Sequence, residues 1–309
     1  MAAMGAGLLL TLMLGYPAQA LDAARQALTA WALSVAPALL PYLVCCQMLW
    51  AGGLPGRLGK YFRRPMAALL GCPGEAGPLA LLAWLGGSPA GARLIIQARD
   101  QGQLTLRQGE RLAFLTGTMS PMFLLATLPG WAGLPHAGGV LLLAHWLGAA
   151  LAGVGLGRVV PFSRSDGAAA PPRAMALPAS KPPQPAARPA VAPPIMAAVQ
   201  ACLTVGACMA VFGVVAQMAR CLLPGLPPAM AAGLHALLEV AGGAKALAAL
   251  PLPPRTRLAA LAGACSFGGF SILSQNAAFL KPAGVRIGAL LAMRCCHALA
   301  ATGIAWALC

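Results

Sequence analysis

Apolar residues fall in long blocks along this 309-residue chain, and polar residues interrupt the blocks rather than alternate within them. The blocks are Met4–Tyr16, Trp31–Leu54, Leu79–Ile96, Leu112–Leu128, Val140–Val160, Ile195–Met218, Met230–Leu250, Leu258–Leu280 and Ile287–Leu308. A bilayer-spanning helix takes roughly 20 residues, and the period-of-two pattern of a barrel strand is missing. The pattern predicts an all-α polytopic membrane protein with about eight to nine membrane segments, the polar-interrupted ones entering and returning.

Composition agrees. The chain is 59% hydrophobic and 9% charged, where a soluble domain carries about 25% charged residues. A net charge of +15 raises the question of nucleic acid, but aromatics rarely interleave with the basic runs. The charge reads instead as topology signal in short loops, and no nucleic-acid partner is expected. The ten cysteines form no CxxC pair, so neither a disulfide framework nor a metal site is expected. Motifs for metalloprotease, hydrolase or phosphate-loop chemistry are missing, and six acids leave little for a catalytic group. No enzymatic activity and no cofactor are expected.

The chain divides at a Pro/Ala-rich stretch, residues 158–194, carrying Arg158, Arg164, Arg173, Lys181 and Arg188 against Asp166. This is read as an extended cytoplasmic linker. It separates a first membrane repeat, residues 28–157, from a second, residues 195–309. Residues 1–27 are read as an N-terminal membrane helix. Its core and Ala18-x-Ala20 ending resemble a signal peptide, but no Lys or Arg precedes the core, so an uncleaved helix is expected.

Counting outward from the linker puts the basic runs Arg57–Arg64 and Arg99–Arg111 on one face. Either Leu79–Ile96 then turns back as a re-entrant hairpin, the simpler reading, or Met66–Gly74 supplies an extra half-crossing. Irregular backbone at membrane depth is tolerated only where protein buries it or a cavity adjoins it. The second half holds a similar break, "LAALAGACSFGGFSILSQN" (Leu258–Asn276), matched here with "LALLAWLGGSPAGARLI". The charge count gives the two halves opposite orientations, so two inverted repeats are expected. Paired breaks of this kind point to a transporter binding site.

The candidate substrate site follows from those breaks. Ser88 and the amides around Gly86, Gly87, Pro89 and Gly91 can present donors to an anion, and Arg93 one turn on can add charge. The alternatives are close helix packing for the glycines and interfacial anchoring for Arg93. Ser266, Ser271, Ser274, Gln275 and Asn276 beside Gly268 and Gly269 either line a polar cavity or satisfy one another. Ser120, in "TGTMSPMF", marks a further break or a proline kink. Glu239, the acid deepest in an apolar run, shares a helical face with His235 and precedes Lys245. It either couples transport to a proton or cation, or pairs structurally.

The motifs "PALLPYLV", "GGSPAGARLI", "GERLAFLTGTMSPMFLL", "LLEVAGGAKAL" and "SFGGFSILSQ", in this order from about Trp31 onward, resemble the YlbJ (SpoVV) family of sporulation integral membrane proteins. That family belongs to the nucleoside-recognition, or Gate-domain, group. The resemblance implies a transporter moving dipicolinic acid across the mother-cell-derived outer forespore membrane, built from inverted repeats with re-entrant hairpins. It also implies distant kinship with nucleoside transporters and ferrous iron gates. A small anion and the lipid bilayer are the partners expected, with a homo-oligomer or other sporulation membrane proteins open. Nucleoside or ion transport, or a non-transporting assembly role, stay as alternatives.

Overall fold

The computed structural model describes residues 2–159 and 192–309, and every regular element among them is helical. The predicted linker thus lies almost wholly outside the described residues. Among the described residues, five helices are long and apolar enough to cross a membrane: Pro17–Ala51, Pro135–Val159, Pro193–Leu222, Pro254–Leu280 and Ile287–Leu308. Shorter apolar helices cover Ala3–Gly15, Ala76–Gly86, Phe123–Ala132 and Pro228–Leu238. The chain is an all-α polytopic membrane protein. Gly and Pro breaks account for the difference between five long helices and the larger number of apolar blocks.

Two helices open the described chain. Helix α1 (Ala2–Gly15) ends before Tyr16, and α2 (Pro17–Ala30) begins on Pro17, whose missing N–H and fixed φ suit a first helical position. A π-turn (Trp31–Val35) then leads directly into α3 (Ala36–Ala51). The helix runs through residue 27 without a break. The polar run around Asp22, Arg25 and Gln26 is helical, and α2 packs on the long helix α10 (Ala192–Leu222).

Helix α4 (Leu54–Leu70) is amphipathic, with Arg57, Lys60, Arg63 and Arg64, and is bounded by left-handed Gly53 and Gly71. Then come α5 (Ala76–Gly86) and α6 (Ala90–Asp100). Each has 11 residues, about 16 Å of helix, roughly half a bilayer core. The chain doubles back between them, since a Cβ at Gly91 would sit 3.0 Å from that of Ala83. Helix α7 (Leu106–Thr116) opens on a Thr105/Gln108 capping box and ends at an unwound stretch, Gly117–Ser120. A π-turn (Phe123–Thr127), α8 (Leu128–Ala132) and α9 (Gly138–Val159) follow.

After α10 the same succession returns. Helices α11 (Pro228–Leu238) and α12 (Val240–Ala248) form a tight hairpin, in which a Cβ on Gly243 would lie 2.1 Å from the Ala236 backbone. Helix α13 (Pro254–Phe267) breaks at left-handed Gly268 and Gly269 into α14 (Gly269–Leu280), and α15 (Ile287–Leu308) closes the chain. Each half is therefore a long helix, a short hairpin, a broken helix and a long helix. Helices holding the same place in the two halves pack on each other, α3 on α10 and α9 on α15.

This order corrects the pairing read from sequence. The counterpart of the α5–α6 hairpin is α11–α12, and Leu258–Asn276 corresponds instead to the broken helix around Gly117–Ser120. Helix α13 packs on α15, α12 and α9, whereas α14 packs on α10, α6 and α11. Leu258–Asn276 bends rather than doubling back.

Small residues allow the close helix approaches that replace a hydrophobic driving force inside a bilayer. A Cβ at Gly148 would meet the Ala301 backbone at 3.0 Å, and one at Gly153 the Leu115 backbone at 2.7 Å. The halves are also tied by charge. Arg286, just before α15, grips the buried Glu110 of α7 through Nε at 3.0 Å and Nη2 at 3.1 Å.

Candidate functional site

Each hairpin packs its turn against the helix break in its own half. In the first, Ser88 N–H donates to Thr118 O at 2.8 Å, and Gly87 (φ +66°) fits so closely that a Cβ would lie 2.7 Å from Ser120 N. In the second, a Cβ on Gly269 (φ +67°) would lie 3.0 Å from Ala236 O and 3.2 Å from Val240 N. Both positions demand glycine twice over, for left-handed backbone and for room.

Buried side chains then join the two breaks. His145 Nε2 accepts the Met119 N–H at 2.9 Å, so its proton sits on Nδ1, which donates to Ser266 Oγ at 2.8 Å. His297 stacks on it at 4.6 Å between centroids and donates through Nε2 to the His145 carbonyl at 2.8 Å. Arg294 is 1% exposed. It donates through Nη1 to Gly117 O in the first break and through Nη2 to Ser88 Oγ at 3.4 Å. Asn276 Nδ2 donates to the same hydroxyl at 3.3 Å. No carboxylate pairs with Arg294 among the described residues.

In front of this network lies a cavity of about 50 Å³. Its polar wall comes from Ser88, Ser120, Glu239, Ser271 and Gln275, and its apolar wall from Phe123, Val205, Met209 and neighbours. Ser88 stands just ahead of α6, Ser120 just ahead of the helical restart at Pro121, Val240 and Ala241 open α12, and Ser271 is third in α14. Residues at or near four helix N-termini thus line one small space. Glu239, 1% exposed and extended (φ −133°, ψ 114°), links the second hairpin's helices. It caps α12 by accepting from Ala241 N at 2.9 Å and Gly242 N at 2.6 Å. Thr118 Oγ1, Ser271 Oγ, Gln275 Oε1 and Asn276 Oδ1 are buried oxygens without a hydrogen-bond partner among the described residues.

With this geometry in place, comparison with known proteins adds a relative. It is the sporulation integral membrane protein YlbJ of Bacillus subtilis (strain 168). Identity is 29% over 136 residues, 44% of this chain and 33% of YlbJ. The chain thus matches about a third of the curated relative's length. No family model and no solved structure matches the chain.

Four of the five motifs by which the sequence resembles YlbJ fall on the hairpin turns and helix breaks, and the other, PALLPYLV, lies within α3. Of the candidate residues, Ser88, Ser120, Ser271, Gln275 and Glu239 line the cavity, and Asn276 stands directly behind Ser88. Gly86, Gly87, Pro89 and Gly91 shape the first hairpin, while Gly268 and Gly269 shape the second break. Ser266 is turned to His145, and Ser274 is satisfied within its own helix by Ser271 O at 2.8 Å.

Three charged or titratable candidates fall elsewhere. Arg93 donates to Ala197 O at 3.0 Å and covers the Phe279 ring at 4.9 Å, because its position on α6 faces α10 and α14 rather than the cavity. Lys245 is exposed on the outer side of α12, and His235 lines a second, outer cavity. Sequence reasoning passes over Arg294, His145 and His297. The signal is present: ionisable residues inside the apolar runs "LLLAHWLG" and "AMRCCHALA" are costly there and mark functional sites by default.

Proposed function

We propose that the chain is a transporter for a small organic anion, and that it serves sporulation by moving dipicolinic acid across the outer forespore membrane. The observation that carries this reading is one buried cavity lined at the N-termini of three helices and at that of α12, which Glu239 caps, with the guanidinium of Arg294 behind Ser88. Oriented N–H groups and a fixed cation in a dry site favour a carboxylate strongly. Similarity to YlbJ supports the sporulation setting, and the family resemblance supports dipicolinate as solute. At about 50 Å³ the cavity is far below the roughly 300 Å³ or more of a ligand pocket, so it must widen to admit solute.

A second reading has its own observation. Ser271 Oγ and Gln275 Oε1 are unpartnered acceptors, among the described residues, near the Glu239 carboxylate. Such a wall suits a solute rich in hydroxyl and N–H donors, such as a nucleoside. Purified protein in liposomes separates the two. Labelled dipicolinate is expected to enter, with dipicolinate and not uridine or adenosine competing. Vesicles that take up no more dipicolinate than protein-free ones would refute the first reading; competition by nucleosides alone would establish the second.

A further inference from the structure

Glu239 stands between two cavities. One is the inner cavity already described; the other, of about 80 Å³, is lined by Asp22, Gln26, Gln217, Arg220, His235 and Glu239 among others. Asp22, Gln26 and Arg220 are exposed, so this outer cavity opens to the protein surface. Glu239 and Met209 contribute to both. The carboxylate is therefore the polar part of the wall dividing surface from site.

The partner on the outer side is His235, one turn back on α11. A Cβ placed on Gly242 would lie 2.6 Å from His235 Nε2 and 3.0 Å from Glu239 Oε2. The two atoms are then at most the sum of these, 5.6 Å, apart, a span that a single water bridges with two hydrogen bonds of about 2.8 Å. Glycine at 242 leaves that gap open, and its backbone is ordinary helix, so no conformational demand explains it. The charged groups facing Glu239 are Asp22 from α2, Arg220 from α10 and His235 from α11. Helices α8 and α14 carry no titratable side chain, and Arg257 of α13 is engaged with Ala248 O at the far end of α12.

We infer that His235 and Glu239 form a proton relay across this wall, and that solute movement is coupled to a proton carried on Glu239. The coupling rests on the anion reading. A carboxylate and an anionic solute sharing one desolvated space repel each other strongly, and a proton on Glu239 removes that repulsion. In the transfer, the N–H bond on protonated His235 breaks, the bridging water passes a proton on, and an O–H bond forms at Glu239 Oε2. Positive charge thereby moves inward by one. The step needs only protons from the water of the outer cavity.

Proteoliposomes of the full chain holding a pH-sensitive dye test this directly. An inward dipicolinate gradient is expected to acidify the lumen, with Gly242→Ala and His235→Gln slowing acidification tenfold or more while eluting as monodisperse protein. Dipicolinate entry with no change in lumen pH overturns the relay and leaves the anion reading standing. If no dipicolinate enters, labelling by dicyclohexylcarbodiimide, which modifies protonated carboxyls in apolar surroundings, decides separately. Labelling at Glu239 that rises as pH falls and slows in Gly242→Ala upholds the relay; a Glu239 unlabelled at every pH overturns it.

Discussion

His145 and Ser266 lie 121 residues apart and meet at 2.8 Å, Nδ1 to Oγ, in a fully buried contact. The other ring nitrogen, Nε2, accepts the Met119 N–H. One imidazole therefore fastens the unwound stretch of the first half to the end of α13, just ahead of the second break. A broken helix exposes backbone groups that a bilayer cannot satisfy; this ring satisfies one of them and fixes the spacing of the breaks.

Replacing His145 with Ala leaves the Met119 N–H and the Ser266 hydroxyl buried without partners and opens a hole beside His297. Each orphaned group costs about 1–3 kcal/mol, so His145→Ala is expected to lose about 3 kcal/mol or more. Ser266→Ala strands one N–H and should cost about 1–2 kcal/mol. Thermal unfolding in detergent reads both. A Ser266→Ala protein as unstable as His145→Ala would show that the ring does not link the breaks.

Breaks are easier to read in the sequence than their partners. Gly86–Pro89, Gly117–Pro121 and Gly268–Gly269 stand out because Gly and Pro rarely interrupt an apolar run without a structural cause. Yet a Gly-Gly pair has no fixed geometry. Gly87 at φ +66° helps reverse the chain, whereas Gly268 and Gly269 at φ +81° and +67° only bend it. Similar residues thus sit on dissimilar turns, and matching them by sequence pairs the wrong segments. The true second hairpin turns at Glu239, in extended backbone with no glycine at the turn itself. Burial is likewise a tertiary property. Arg93 and Arg294 both sit in apolar surroundings in the sequence, and only packing decides which one meets the broken backbone.

That difference makes a testable ranking. Arg294 makes charge-assisted hydrogen bonds to Gly117 O and Ser88 Oγ with no competing solvent, each such bond contributing about 1.5–3 kcal/mol. Arg294→Ala is expected to reduce dipicolinate uptake by roughly tenfold to a hundredfold. Arg294→Lys should recover part of it, since an ammonium restores charge but not the two-pronged geometry. Arg93→Ala should leave apparent affinity within about threefold, losing a carbonyl contact and ring packing instead. Equal uptake defects in Arg93→Ala and Arg294→Ala would contradict this placement.

Glu110 and Arg286 offer a measurable tie between the halves. The carboxylate is buried, but the Arg286 side chain is 38% exposed, so solvent screens the pair. A double-mutant cycle with Glu110→Gln and Arg286→Gln is expected to give a coupling of about 1 kcal/mol. Raising the salt concentration should shrink it only partly, because one partner is dry. A coupling indistinguishable from zero would mean that helix packing alone holds α15 against α7.

The hairpins depend on glycine through contact as well as conformation, and the two effects separate by position. At Gly243 the backbone is helical, but a Cβ would lie 2.1 Å from the Ala236 backbone, which cannot move without parting α11 from α12. Gly243→Ala is therefore expected to cost about 3 kcal/mol or more, well above ordinary overpacking, and to yield little monodisperse protein. At Gly87, Ala meets both a left-handed φ of +66° and the Ser120 amide at 2.7 Å. Strain of about 1–2 kcal/mol adds there to the clash. Gly233 is the control: it lies in α11, and an added methyl would find no described atom within 4 Å. Ala in open helix gains up to about 1 kcal/mol of propensity over Gly. Yield on size-exclusion chromatography should fall in the order Gly233→Ala, wild type, Gly87→Ala, Gly243→Ala. If Gly243→Ala instead behaves like Gly233→Ala, α11 and α12 do not close on each other, and the cavity beside Glu239 loses the hairpin that shapes it.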